Sequence, residues 1–297
     1  MNRVMVAAKK NQANMMLNLL LEMRPKQWTK NILVFASALF SGNIFLTSTF
    51  INAFLAFIAF SFISSTVYII NDIVDIEKDR QHPDKCKRPL ASGALSVPAA
   101  VTSAIFLCFI SLTIAFLINT EVLFIVMLYF IINLFYTLRL KHVVLIDVMI
   151  IASGFVLRAV CGAFATGGVI TSWFILCILG LSLFLALGKR RHELVLFNDI
   201  PEKQRKVLQH YSVELLDQLM TVITGLLLMF FSMYAASQES GMMYTIPLAI
   251  YGVFRYYYLI HKKNGGGKPE EILLNDKHIL ATVIMFGLVV VLIKTQL

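Results

Sequence analysis

The sequence predicts an all-α integral membrane protein with about nine transmembrane helices. Three observations carry this. Of the 297 residues, 58% are hydrophobic and 14% charged, and mean hydropathy is +0.77; soluble globular domains carry about 25% charged residues. The apolar residues form continuous runs near the ~20 residues that span a bilayer, not the alternating pattern of an outer-membrane barrel. The connections between runs alternate between uncharged and basic, as a multi-pass topology demands.

In order, the runs cover 31–46, 50–71, 98–118, 121–138, 143–165, 169–188, 213–236, 242–260 and 278–294. Connections around Gly42, Asn119, Gly167 and Gly241 are short and lack Lys and Arg. The others carry Arg24, Lys26 and Lys30; Lys78 through Arg88; Arg139 and Lys141; Lys189 through Lys206; and Lys262 through Lys277. With the N-terminus inside, every Lys and Arg falls on the cytoplasmic side or at a cytoplasmic helix end, except Arg158 and Lys294. Losing one helix would scramble that alternation, so the charges support the count. The formal net charge of +9 is first a topology signal, and no nucleic-acid partner is expected. The four cysteines and the histidines show neither disulfide nor metal spacing.

Ahead of the first run, Lys9-Lys10 precede a polar-interrupted stretch with no small-residue cleavage site, so no cleavable signal peptide is expected. Met15, Met16, Leu19, Leu20 and Met23 fit one or two amphipathic turns. Residues 1–23 read as an interfacial helix or loose tail on the cytoplasmic surface, and 24–297 as one integral catalytic domain. The long charged loops after the second and sixth runs rhyme, too loosely to assert a duplication.

Chemistry concentrates where the second run ends. After Tyr68-Ile69-Ile70, four acids and an Asn fall within Asn71–Asp79. On a helix, Asn71, Asp75 and Asp79 recur every four residues and Asp72 lies beside Asp75 and Asp79, while Glu77 points elsewhere. Crowded carboxylates repel unless a cation sits among them, and hard oxygens suit Mg²⁺, which shares its coordination with substrate phosphates. The plain alternative is a solvated helix end. Next comes a loop in which Pro83 and Pro89 bracket Lys85, Lys87 and Arg88. A cation site beside such a loop is the composition a Mg²⁺-diphosphate needs, although topology alone would also place basic residues there.

Further along, Tyr136, Lys141 and Asp147 cluster where the fourth run meets the fifth. Arg158 lies deeper in the fifth run, either functional or snorkelling to the far surface. Asp147 reads as functional or as a partner of Lys141. Lys189-Arg190-Arg191 close the sixth run, to bind a phosphate or rest against anionic headgroups. Tyr256-Tyr257-Tyr258 sit where an aromatic belt belongs, and Gly265-Gly266-Gly267 read as a hinge.

These residues resemble a known family. Asn71-Asp72-x-x-Asp75-x-x-x-Asp79 resembles the first aspartate motif of the UbiA prenyltransferase superfamily. Arg24-Pro25-Lys26-Gln27-Trp28-Thr29-Lys30-Asn31, His82-Pro83 through Arg88-Pro89-Leu90-Ala91-Ser92-Gly93, Tyr136 to Asp147, Gly188-Lys189-Arg190 with Glu193-Leu194, and Pro269-Glu270-Glu271 with Asp276 are similar to its decaprenyl-phosphate phosphoribosyltransferase branch. The resemblance implies nine helices around a central cavity. It also implies transfer of 5-phosphoribosyl from 5-phosphoribosyl 1-diphosphate to a polyprenyl phosphate, in the bacterial plasma membrane with a cytoplasmic active site.

On this reading Asn71, Asp72, Asp75 and Asp79 hold Mg²⁺, with the three aspartates catalytic. Lys85, Lys87 and Arg88 cradle the donor's phosphates. Lys26, Lys30, Lys141, Lys189 and Arg190 are candidates for the ribose 5-phosphate and the lipid phosphate, and Tyr68, Tyr136, Asp147 and Arg158 join the substrate-binding set. Prenyl-transferring members usually carry a second acidic motif after the sixth helix. Here that place opens with Lys189-Arg190-Arg191, and only Glu193 and the more distant Asp199 and Glu202 supply negative charge. An aromatic prenyltransferase using a prenyl diphosphate is the alternative, and a cation-coupled transporter a more remote one. Membrane lipid is an expected partner; association into a homo-oligomer stays open.

Overall fold

The structure is a computed structural model describing residues 15–196, 206–238, 240–262, 267, 272 and 274–295. Among the described residues there is no strand. The chain opens with helix α1 (15–22), then a 3-10 stretch, Pro25–Phe35, running into α2 (Ala36–Phe40). There follow α3 (Thr47–Val74), α4 (Ile76–Gln81), α5 (Val97–Ile118), α6 (Thr120–Leu138), α7 (Ile146–Thr166), α8 (Ser172–Leu196), α9 (Val213–Ser237), α10 (Ile246–Lys262) and α11 (Lys277–Thr295). Six of these, α3 and α5 to α9, are long and apolar enough to cross a membrane. The apolar stretch of α11, Lys277–Ile293, is shorter, so among the described residues the expected count of nine is not reached by length and composition.

Two compact units divide the chain: Met1–Leu140 with Leu157–Gly168, and Lys141–Val156 with Val169–Leu297. In the first, α3 packs against α5 and α6. Small residues permit the close approach: Ala53, Ala56 and Ala59 of α3 and Ala100, Ala104 and Ala115 of α5 are buried. The buried Ser111 Oγ donates to the Ala59 carbonyl at 2.7 Å. Phe106, Phe109, Phe116 and Leu117 point outward from α5. In the second unit α8 packs on α9, and α10 on α11, over a core that includes Phe184, Leu216, Met220 and Ile260.

Three local departures from the sequence reading matter. The first apolar run is not one α-helix; it is the 3-10 stretch, short α2 and a break at Gly42, whose φ is +76°. That stretch lies so close to the second half of α7 that a Cβ on Gly162 would sit 1.8 Å from the Val34 carbonyl oxygen. Packing, not local pattern, sets its path. Second, the helix carrying the acidic motif bends at Asp75, where φ is −100° and ψ 11°. The bonds Asp75 N–H to Asn71 and Asp79 N–H to Asp75 still bridge the bend, each 2.9 Å. Third, α8 continues past Gly188 to Leu196, so Lys189-Arg190-Arg191 lie on a helix and not in an exit loop.

Candidate active site

The end of α3 and the loop after it assemble the densest charged cluster of the first unit. Leu90 fixes the loop: it is buried with Ile69, Leu95, Ala100, Ala104 and Leu107. Gly93, at φ +79°, turns the chain there, and Leu95 N–H donates to the Pro89 carbonyl at 3.0 Å. His82 Nδ1 accepts from the Asp84 and Lys85 N–H groups. Partial burial, and then Lys85, lower its pKa, which suits a ring acting as acceptor.

With Leu90 anchored, Arg88 reaches both buried acids of the motif. Its Nη1 lies 2.9 Å from Asp72 Oδ1 and 2.5 Å from Asp79 Oδ2. Lys85 Nζ stands 3.7 Å from Asp79 Oδ1. A second guanidinium arrives from the N-terminal side: Arg24 Nη2 contacts both oxygens of Asp72, and its head lies 5.0 Å over the Tyr68 ring. Arg24 holds a left-handed backbone, φ 54°, uncommon for a residue with a Cβ. The side chains of Asp72 and Asp79 are 2% and 5% exposed, those of Arg24 and Arg88 24% and 27%. Buried carboxylates are thus capped by cations that also face outward.

The motif therefore does not present one face. Asp72 and Asp79 turn inward to Arg88, whereas Asp75 sits on the bend, 3.5 Å from Lys78 Nζ, and Asn71 is half-buried. Among the described residues no three Asp, Glu, His or Cys side chains stand in metal-holding geometry. Lys26 and Lys87 are exposed, and Lys30, Tyr136, Lys141 and Lys189 half-buried.

Sequence reading missed Glu22. It lies on α1, 1% exposed, against the Asp72 carboxyl and the Leu90 backbone. Burial, and then the neighbouring Asp72 carboxylate, push its pKa up to about 8, with Arg24 and the Leu90 backbone opposing. A signal was present: Leu19, Glu22 and Met23 share one helical stripe, and Leu19 and Met23 pack on the Leu90 cluster. An acid within an apolar stripe was the cue. Arg24 was noticed only as part of a motif; no local pattern joins it to Asp72.

Other predicted residues lie elsewhere. Arg158 does not snorkel. It is buried, donating from Nε to Asn31 Oδ1 at 2.7 Å and from Nη2 to Tyr129 Oη at 3.1 Å, with its head over the Phe60 and Tyr129 rings. Asn31 in turn donates to Ser61 and Ser64. In the second unit, Asp147 takes Arg190 Nε at 2.7 Å and the Tyr211 hydroxyl at 2.8 Å, and Arg190 Nη1 reaches Glu193 at 2.8 Å. Arg191 pairs with Asp217. Arg190 and Arg191, read from the sequence as binding a phosphate or resting against anionic headgroups, are thus paired with acids. Asp199, Glu202, Pro269, Glu270, Glu271, Gly265 and Gly266 lie outside the described residues, as do residues 1–14 of the interfacial segment and the side chain of Lys294.

The family model "UbiA prenyltransferase family" matches residues 31–272. The chain belongs to the UbiA prenyltransferase family. A decaprenyl-phosphate phosphoribosyltransferase of Corynebacterium glutamicum is 35% identical over 94% of this chain and 87% of that protein. One of Mycolicibacterium smegmatis is 30% identical over 89% and 88%. Among solved structures, a UbiA homolog from Archaeoglobus fulgidus bound to GPP and Mg²⁺ superposes with TM-score 0.71 at 20% identity, covering 94% of this chain and 97% of its own. The same homolog bound to DMAPP and Mg²⁺ gives 0.72 at 21%, covering 92% and 98%. The UbiA fold and the six long apolar helices make the chain a multi-pass, all-helical membrane protein.

Proposed function

We propose that the chain transfers 5-phosphoribosyl from 5-phosphoribosyl 1-diphosphate to a polyprenyl phosphate of the decaprenyl type, releasing diphosphate. The observation that carries this is the convergence of Arg24, Lys85 and Arg88 on Asp72 and Asp79. Cation-binding oxygens and phosphate-binding N–H groups occupy one cluster, as a diphosphate donor requires. The choice of donor follows the phosphoribosyltransferase relatives, which match nearly the whole chain.

Mg²⁺ fits the donor set. Asn71, Asp72, Asp75 and Asp79 offer hard oxygens. The four motif residues would hold the ion. When bound it supplies positive charge against the leaving diphosphate. Arg24 and Arg88, each about a quarter exposed, orient phosphate oxygens while keeping Asp72 and Asp79 in place. Lys85 and Lys87 add charge from the same loop. Tyr68 supports the Arg24 head. Lys26, Lys30 and Tyr136 are candidates for the ribose 5-phosphate and the lipid phosphate; Lys141 and Lys189 keep the same candidacy without an assigned step.

The acceptor phosphate oxygen attacks the anomeric carbon of the ribose as the bond to diphosphate breaks. A phosphate is anionic at neutral pH, so no protein base is needed, and catalysis is positioning and electrostatics. Arg158, Asp147 and Arg190 are assigned to holding helices together. The basic connections support a cytoplasmic N-terminus and site, and the soluble donor favours the same face, in our reading that of a bacterial plasma membrane.

Purified protein given ribose-labelled 5-phosphoribosyl 1-diphosphate, Mg²⁺ and decaprenyl phosphate tests the reading. Label should pass into lipid with one diphosphate released per transfer. No labelled lipid, alongside prenylation of an aromatic acid from a prenyl diphosphate, would give the site to aromatic prenyl transfer.

A further inference from the structure

We propose that Arg158 is a positioning residue for the phosphate-binding cations Arg24, Lys26 and Lys30: by gripping Asn31 it holds Pro25–Phe35 in the 3-10 path that places them. The proposal rests on the phosphoribosyl-transfer reading, in which those cations meet phosphate. The path itself needs a cause. Runs of 3-10 helix longer than three or four residues are uncommon, because their hydrogen-bond geometry is poorer than that of an α-helix, yet this one covers 11 residues. Its exposure follows the three-residue turn. Trp28 is half-buried and Asn31 and Val34 are buried; Gln27, Lys30 and Leu33 are half-buried; Lys26, Thr29 and Ile32 are exposed. An α-helix would instead bring Lys26 and Lys30 to one face.

The inward face is gripped turn by turn. From α3, Ser65 Oγ accepts Trp28 Nε1 at 3.1 Å, and Ser61 and Ser64 accept Asn31 Nδ2 at 3.1 and 3.3 Å. From α7, Arg158 Nε donates to Asn31 Oδ1 at 2.7 Å, and bare Gly162 lies against the Val34 carbonyl. Arg158 and Gly162 stand one α-helical turn apart, about 6 Å along α7. Asn31 and Val34 are about 6 Å apart on a 3-10 path but about 4.5 Å apart on an α-helix. The 3-10 spacing is therefore the one that meets both grips. Arg158 is a firm point, since its Nη2 donates to Tyr129 Oη at 3.1 Å and its head lies 5.2 Å over the Phe60 ring. The register carries through to the first cation: Gln27 N–H donates to the Arg24 carbonyl at 2.8 Å.

Two measurements on detergent-purified protein test this. In the transfer assay, Arg158→Leu should lower kcat/KM by about 100-fold, chiefly through a higher KM for 5-phosphoribosyl 1-diphosphate. KM does not depend on how much of the protein is folded, so a purely structural loss would leave it unchanged. Asn31→Val should raise the same KM, and the double variant should be no worse than either single one, because the two side chains act as a unit. Without substrate, an amine-reactive reagent followed by peptide mass spectrometry should label exposed Lys26 faster than half-buried Lys30, and Arg158→Leu should lose that excess. An unchanged donor KM in the single variants, losses that multiply in the double variant, or an unchanged labelling ratio would each overturn the proposal. No transfer by the unsubstituted protein, with the labelling excess still lost in Arg158→Leu, would overturn the phosphoribosyl reading and support the grip on Asn31.

Discussion

Each unit of the molecule holds a buried Asp–Arg cluster, and the two are built differently. In the second unit Arg190 is 2% exposed and Asp147 fully buried, and each Asp147 oxygen has its own donor, Arg190 or Tyr211. Tyr211 Oη is itself fixed by the Leu145 N–H at 2.8 Å. In the first unit Asp72 and Asp79 are also buried, but their guanidiniums remain about a quarter exposed and a second buried carboxyl, Glu22, stands beside Asp72. A closed, satisfied network locks helices together. A cluster whose cations face outward is suited to a charged ligand. Buried charge alone does not mark a reacting site; cations left accessible at its edge do.

Breaking the closed cluster should cost stability. Arg190→Ala leaves Asp147 buried and short of its partner, an arrangement that costs about 3–5 kcal/mol. The protein should melt far lower in detergent, and any residual transfer should follow the folded fraction. Breaking the open cluster should instead cost rate. Arg88→Ala should lower turnover by about 10²–10³-fold, with a smaller drop in melting temperature because Arg88 is partly solvated. Phosphoribosyl transfer measured beside thermal unfolding distinguishes the two.

Much of this was legible in the residues. The charge alternation and the α3, α5, α6 and α9 runs needed only hydropathy, since each helix buries one side and exposes apolar residues on the other. The acidic motif and the Pro-bracketed loop were legible because their types and spacing are local. Arg158 was not: its direction depends on Asn31, which lies 127 residues earlier in the chain. Arg190 was read as an open cation because its acid, Asp147, lies 43 residues away. The 3-10 path of Pro25–Phe35 depends on the bare backbone of Gly162. Glu22 was hidden because α1 looked like a surface segment, where an acid needs no explanation.

A smaller effect sharpens the contrast. The pKa of Glu22 is raised to about 8 from 4.5, so the folded protein binds more protons than the unfolded chain between those values. Stability from this group is complete below about pH 4.5 and is lost as pH rises towards 8. In metal-free buffer the melting temperature of the unsubstituted protein should fall from pH 5 to pH 8, and that of Glu22→Gln should fall less. Parallel slopes for the two proteins would mean that Glu22 does not titrate there.

The claim that the first unit's cluster performs the chemistry is tested most directly by the transfer rate of Asp79→Asn. The substitution keeps the side-chain shape and removes one carboxylate from Arg88 and Lys85. Labelled-lipid formation from 5-phosphoribosyl 1-diphosphate should drop by at least about 100-fold in protein that still unfolds cooperatively. Turnover equal to that of the unsubstituted protein would contradict the account.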